Sequence, residues 1–260
     1  MTNSDSAARA TSLLELHRAP ELLTVVNVWD VISAKAVAGM DGTRALATAS
    51  HSIAATLGYE DGENIPVDEM LDMCGRIVKA TDLPVSADLE GGYGDAPETI
   101  RRAIGLGIVG ANIEDQMKPL AEAAAQVEAI MKAAEAEGVP DFVLNARTDA
   151  FVKGRDRDPA DVLADAVERG KAFLDAGAPV VFVPGPLDEA MVATLVEAYG
   201  PQKLTTIGAP GSPSTARLQE LGVARVSYGP MTQRVALTAL QDAVSAIHRG
   251  EGIPEFRNLN

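Results

Sequence analysis

Eight short apolar runs recur along the chain, each followed by a stretch with helical spacing. The runs are Thr24–Trp29, Ala45–Ser50, Pro84–Glu90, Gly110–Gln116, Phe142–Thr148, Pro179–Pro184, Lys203–Ile207 and Arg225–Tyr228. They read as near-continuous blocks (Val180-Val181-Phe182-Val183, for instance), the pattern of parallel strands buried on both faces. Between them, Val67, Met70, Leu71, Cys74, Ile77 and Val78 follow a 3.6-residue period and predict one buried helical stripe. Leu163, Val167, Gly170 and Leu174 predict another. Asp95 with Glu98 three residues later, and Pro97 between them, marks a helix start. Asp158-Pro159 marks the next, and Gly138 with Pro140 closes a helix over Ala121–Glu137.

Eight strand–helix units without a break in composition predict an α/β fold, a single (β/α)8 TIM-type barrel formed as one domain over residues 1–260. An open doubly wound sheet would carry a glycine-rich turn after the first strand, and none follows Thr24–Trp29. Met1–Ser6 and Arg257–Asn260 read as loose ends. Near the C-terminus, Val235–Ile247 carries Leu237, Leu240, Val244 and Ile247 on one helical face. That face covers either the chain's own first and last strands or a neighbouring subunit.

Charge narrows the partners. Acidic side chains number 37 against 22 basic ones, for a formal charge of −15, which argues against nucleic-acid and anionic-membrane partners. No apolar stretch approaches the ~18 residues of a membrane span, and Met1–Pro20 lacks a signal-peptide core, so a soluble, cytoplasmic protein is expected. The lone cysteine, Cys74, excludes an internal disulfide and a multi-thiolate zinc site.

Barrel active sites lie at the carboxyl ends of strands. Three strand ends here carry ionisable groups that a buried strand would avoid: Ser86-Ala87-Asp88-Leu89-Glu90, Asn112-Ile113-Glu114-Asp115 and Asn145-Ala146-Arg147-Thr148-Asp149. Period-two alternation puts Ser86, Asp88 and Glu90 on one side. Converging carboxylates repel unless a cation or arginine sits between them, and an all-oxygen donor set suits Mg²⁺ or Mn²⁺. The same acids could instead pair with Arg147, Arg101 or Lys118 in rim salt bridges. Cys74 falls on an apolar stripe and reads as an inert core thiol. Gly91-Gly92-Tyr93-Gly94 reads as a tight turn or, more weakly, a phosphate cradle. His17, His51 and His248 lack metal-ligand spacing, and His17 and His248 are expected at the surface. No G-x-S-x-G elbow or Walker loop occurs.

From about Asn27 to Pro230 the chain resembles the isocitrate lyase/phosphoenolpyruvate mutase superfamily. The segments that carry the resemblance are Asn27-Val-Trp-Asp-Val-Ile-Ser-Ala, Leu57-Gly-Tyr-Glu-Asp-Gly-Glu, Ser86-Ala-Asp-Leu-Glu-Gly-Gly-Tyr-Gly-Asp, Asn112-Ile-Glu-Asp-Gln and Asn145-Ala-Arg-Thr-Asp-Ala. The resemblance implies an enzyme that makes or breaks a C–C or P–C bond beside a 2-oxo acid, through an enolate and with Mg²⁺ or Mn²⁺. It implies Asp88 and Glu114 as acids of the metal shell, with Glu90 standing where most members have aspartate. Asp61 matches a loop aspartate beside the transferred group, Arg147 an arginine that holds the substrate anion, and Ala49, Ser50 and His51 a turn that cradles the 2-oxo acid carboxylate. It also implies a small-molecule carboxylate substrate and a homodimer or homotetramer that exchanges the C-terminal helix. One departure stands out. The lyases' Cys-Gly-His gating loop is absent: Gln116 runs through Met117-Lys118-Pro119-Leu120 directly into a helix, leaving Lys118 as the residue able to take a comparable part.

Overall fold

A computed structural model describes residues 3–257. Eight parallel strands close into one barrel in sequential order. They are β1 (Leu23–Val28), β2 (Leu46–Thr48), β3 (Val85–Asp88), β4 (Gly110–Glu114), β5 (Val143–Arg147), β6 (Val180–Phe182), β7 (Leu204–Ile207) and β8 (Arg225–Ser227). Closure is made by β8 against β1, with Leu23 opposite Arg225. Seven fall inside their apolar runs, and β1 begins one residue before its own, at Leu23.

The helices are α1 (Asn3–Arg18), α2 (Val31–Ala38), α3 (Ser50–Leu57), α4 (Val67–Lys79), α5 (Ala96–Gly105) and α6 (Leu120–Ala136). They continue as α7 (Ala150–Lys153), α8 (Pro159–Asp175), α9 (Glu189–Tyr199), α10 (Thr215–Glu220) and α11 (Met231–His248). Local chemistry sets their starts. Asp95 accepts the Glu98 N–H at the head of α5, and Asp158 accepts the Ala160 N–H at the head of α8. The α4 stripe is buried as its spacing predicts, although Val67 stays half-buried. On α8 the buried line is Val162, Ala166, Arg169, Gly170 and Phe173, one residue off the predicted stripe, with Leu163, Val167 and Leu174 on its flank. The reason is Arg169, a buried arginine that no apolar count would place inward.

Two expectations fail at the amino-terminal end. Asn3–Ser6 is the first turn of α1 rather than a loose end, and Ser6 is buried. Met1, Thr2 and Asn258–Asn260 lie outside the described residues, and Arg257 is exposed coil. Helix α1 lies across the start of β4 and β5, so close that a Cβ on Gly110 would sit 2.9 Å from a Leu13 methyl. His17 of this helix is fully buried, not superficial. Its Nδ1–H donates to the Leu13 carbonyl at 2.8 Å, and burial with the nearby Arg225 charge pushes its pKa down to about 3, so it stays neutral.

The barrel interior is polar. Arg225 on β8 reaches Ser86 Oγ on β3 at 3.2 Å, and Thr205 on β7 donates to Asn145 on β5 at 2.6 Å. These strands are not neighbours, so the side chains meet across the barrel axis. Helix α11 lies largely uncovered. Gln233 is buried and donates to Ser52 O and Thr56 Oγ1, both at 3.1 Å, while Leu237, Leu240, Val244 and Ile247 remain exposed. The chain's own strands therefore do not cover that face. A cavity of about 770 Å³ opens between α11 and the β7–α10 connection. Among the described residues no helix is long and apolar enough to cross a membrane.

Candidate active site

The carboxyl ends of β2 to β5 gather most of the predicted residues. Ser50 opens α3, and its N–H and Oγ–H both donate to Asp88 Oδ2, at 3.1 and 2.8 Å. The Asp88 N–H in turn donates to Thr48 Oγ1 at 2.9 Å. One Asp88 oxygen is thus fixed at a helix amino terminus, where negative charge is favoured. The other, Oδ1, is buried without a hydrogen-bond partner. A buried, unsatisfied carboxylate oxygen is costly unless something charged or hydrogen-bonding meets it.

Glu90 departs from the alternation expected of it. The strand ends at Asp88, Leu89 is fully buried, and Glu90 takes a left-handed φ of 53°. It enters a latch with the α3–α4 connection: Glu63 N–H and the Tyr93 hydroxyl (3.3 Å) donate to its two oxygens. The Tyr93 N–H donates back to Glu63 Oε1 at 2.7 Å. Burial raises the Glu90 pKa to about 7; the Glu63 N–H opposes this while the Asp88 and Asp61 charges add to it. Asp61 is exposed on the same connection, with its carbonyl accepting from the Asn64 amide at 2.8 Å.

Glu114 and Arg147 face each other on adjacent strands, paired at 2.9 Å. Burial raises the Glu114 pKa to about 7, with Arg147 opposing and the charges of Asp149, Asp88 and Glu90 adding. Arg147 is held from its other side by one oxygen of Asp149, 2.9 Å from Nε and 2.8 Å from Nη2. The second Asp149 oxygen is buried and unpartnered, and burial raises this pKa too. Two further groups sit behind. Asp115 Oδ1 accepts the N–H groups of Met117 (2.9 Å) and Asp149 (3.0 Å), and its Oδ2 meets Arg169 at 3.1 Å.

The structure therefore brings Ser50, Asp88, Glu90, Glu114 and Arg147 into one electrostatically coupled group, with Asp61 at its edge. Three expected features are arranged differently. Lys118 is turned away: its ammonium donates to Gln126 Oε1 on α6 at 2.8 Å, and Gln126 donates to the Gly91 carbonyl at 3.3 Å. The Ala49–His51 turn is not an open cradle, because the Ala49 N–H donates to Val28 O and the Ser50 N–H to Asp88; His51 is half-buried with Nδ1 unpartnered. Asp88, Glu90 and Glu114 do not close on a common point. Among the described residues no group of three or more His, Cys, Asp or Glu is placed to hold a metal ion. Glu90 is drawn off by its latch and Glu114 by Arg147. The donor set still suits Mg²⁺ or Mn²⁺, since such an ion is held by one or two carboxylates and keeps several waters. The free Asp88 Oδ1, beside the Glu90 and Glu114 carboxyls whose pKa values are raised chiefly by burial and further by neighbouring carboxylates, is the position such an ion would satisfy. Cys74 is buried and its thiol pushed up to about 12, an inert group as its stripe position predicts. The residues that sequence reasoning passed over are Asp115, Asp149 and Arg169. The first two stand inside quoted motifs, and the third carries no local signal, since it lies off the apolar stripe predicted for α8.

A closed parallel barrel with acids and an arginine gathered at the carboxyl ends of its strands has the layout in which barrel enzymes carry their active sites. The family model for phosphoenolpyruvate phosphomutase matches residues 13–248, and the chain belongs to that family. The superfamily resemblance drawn from the motifs is thereby borne out. The uncharacterized protein Rv1998c of Mycobacterium tuberculosis is 32% identical over 248 residues, covering 94% of this chain and 91% of that protein. The 2,3-dimethylmalate lyase of Eubacterium barkeri is 27% identical, covering 92% and 86%. A solved structure from Burkholderia cenocepacia J2315, provisionally assigned as a phosphonomutase, is 37% identical with a TM-score of 0.84, covering 94% and 99%.

Proposed function

We propose that this protein is a divalent-metal-dependent enzyme that cleaves a C–C bond in small 2-hydroxy or 2-oxo carboxylates. A 2-hydroxy substrate loses its hydroxyl proton and becomes a 2-oxo acid while the other fragment leaves as its enolate and is then protonated. A 2-oxo substrate yields the enolate of the 2-oxo acid itself. The observation that carries the proposal is Asp88, anchored through one oxygen by Ser50 and left with the other buried and free, within electrostatic reach of the Arg147 guanidinium. Asp88 would hold Mg²⁺ or Mn²⁺ directly, with Glu114 and Glu90 reaching it through water. When bound, the ion supplies Lewis-acid polarisation of the 2-oxo group. Arg147, planar and already oriented by Asp149, presents a fork to one carboxylate of the substrate. Asp61 lies beside the variable end of the substrate. Near neutral pH, Glu90 can exchange a proton at its carboxyl, which is tied to the Tyr93 hydroxyl. The β4–α6 turn contributes no proton donor, given where Lys118 is held.

A relative named 2,3-dimethylmalate lyase supports the C–C reading. The P–C alternative, a phosphonopyruvate mutase or hydrolase, draws on the matched family model and on Asp61. A third reading, a 2-oxo-acid binder with little catalysis, draws on the missing gate. Turnover of a panel of 2-oxo, 2-hydroxy-polycarboxylic and phosphono acids, followed by ¹H and ³¹P NMR, separates the three. Asp88→Ala and chelation should each abolish any turnover; activity that survives both removes the proposal. We also propose that a second copy of the chain covers the α11 face, forming a homodimer or homotetramer, because that helix leaves its apolar side chains to solvent.

A further inference from the structure

An unbroken chain of alternating charge runs from the exposed α7–α8 connection through α8 to the candidate site. Arg157 pairs with Asp165 at 2.8 Å, Asp165 with Arg169 at 2.9 Å, and Arg169 with Asp115 at 3.1 Å. Arg169 is 9% exposed and its one guanidinium serves three acceptors: Nε meets Asp165, while Nη1 donates to Asp115 Oδ2 and, at 3.0 Å, to the Lys118 carbonyl. That geometry needs a planar fork, which lysine lacks.

The turn it grips is strained. Gln116 and Met117 are consecutive non-glycine residues in the left-handed region, with φ of 50° and 58°. Such backbone persists only where its surroundings over-determine it. Here the Asp115 carboxylate accepts the Met117 N–H from inside the turn, and Arg169 holds the turn's Lys118 carbonyl from outside. The same Asp115 oxygen accepts the Asp149 N–H from the neighbouring strand end. Asp149 is the residue that fixes Arg147.

We infer that Arg169 is a positioning residue: through Asp115 and the Asp149 backbone it sets the orientation of the Arg147 guanidinium. The inference rests on the reading of Arg147 as the carboxylate clamp. Its consequence is a rigid β4–α6 turn that braces the clamp instead of closing over the substrate. Displacing a positioned group by ~1 Å can cost up to about 100-fold in rate or binding, so removing the brace should be visible without removing any substrate contact.

The test uses the full chain with Mg²⁺ and oxalate as the probe. Arg169→Met and Arg169→Lys remove the fork, and Asp115→Asn cuts the ion pair while keeping an acceptor oxygen for the turn. Amide exchange at Asp149 and Met117 should quicken about tenfold in each variant, with the β5 amide of Val143 unchanged as the control for global stability. Oxalate affinity should fall about tenfold, and the double variant should be no worse than either single one, as for residues acting through one network. Folded variants with wild-type protection at Asp149 and Met117 would overturn the inference. So would loss of the fold in both Arg169→Met and Asp115→Asn, which would make the pair a structural staple. Arg147→Lys run alongside separates the two readings. Unchanged oxalate affinity there removes the clamp, and amide exchange still judges the brace.

Discussion

Replacing Glu114 by glutamine should stabilise the metal-free protein at pH 8 and do so only about a quarter as much at pH 5. The Glu114 carboxyl sits at about 7 against an ordinary 4.5, chiefly through burial, and its side chain is 18% exposed. Between those values the folded chain binds a proton that the unfolded chain does not, so stability falls as pH rises through the window. Above pH 7 the whole cost is present, about 3 kcal/mol for this one carboxyl. Glutamine mimics the protonated form and can still accept from Arg147. The predicted gain at pH 8 is therefore about 3 kcal/mol, or roughly 10 °C in Tm for a chain of this size. Urea unfolding of both proteins in EDTA at the two pH values measures it as a double difference. His17, neutral in the fold with its pKa near 3, contributes stability that is lost as pH falls from 6.5, but it does so equally in both proteins and cancels. Adding Mg²⁺ at pH 8 should stabilise the wild type more than the variant. An equal effect of the substitution at both pH values would refute the reasoning.

Three further outcomes follow from packing. Cys74→Ala should lower stability by about 1 kcal/mol through lost contacts on the α4 stripe and leave kcat unchanged; a collapse of kcat in a stable variant would put the thiol in the chemistry. Gly91→Ala would drive a Cβ into the Gln116 amide, so it should destabilise by about 1–3 kcal/mol in chemical denaturation and loosen the β4–α6 turn; a neutral result would mean that the turn yields easily. Sedimentation equilibrium should find a dimer or tetramer that Leu240→Glu dissociates, whereas a wild-type monomer would leave the α11 face without the partner proposed for it.

The barrel was legible because β-strands buried on both faces must be continuously apolar, so eight such runs stand out whatever the helices do. The candidate site was legible for a related reason: Asp88, Glu114 and Arg147 interrupt those runs at their carboxyl ends, where only chemistry or an ion pair tolerates charge. What escaped detection depends on partners distant in sequence. Asp115 meets Arg169 across 54 positions, and no local pattern on α8 distinguishes a buried arginine from a solvated one. Lys118 looked like a replacement for the gate because the gate was missing, yet Gln126, two turns into α6, holds its ammonium outside the cluster. His17 failed similarly: a single histidine beside Arg18 reads as surface until α1 is seen to lie across the barrel. Glu90 broke its strand alternation because the strand ends two residues earlier and the latch with Glu63 takes it over.

Calorimetric titration of oxalate into the protein with and without Mg²⁺ tests the central claim most directly. If Asp88 holds the ion and Arg147 the anion, oxalate should bind in Mg²⁺, lose its binding in EDTA, and fail to bind Asp88→Ala under either condition. Equal oxalate affinity with and without the metal, or undiminished binding to Asp88→Ala, would contradict it.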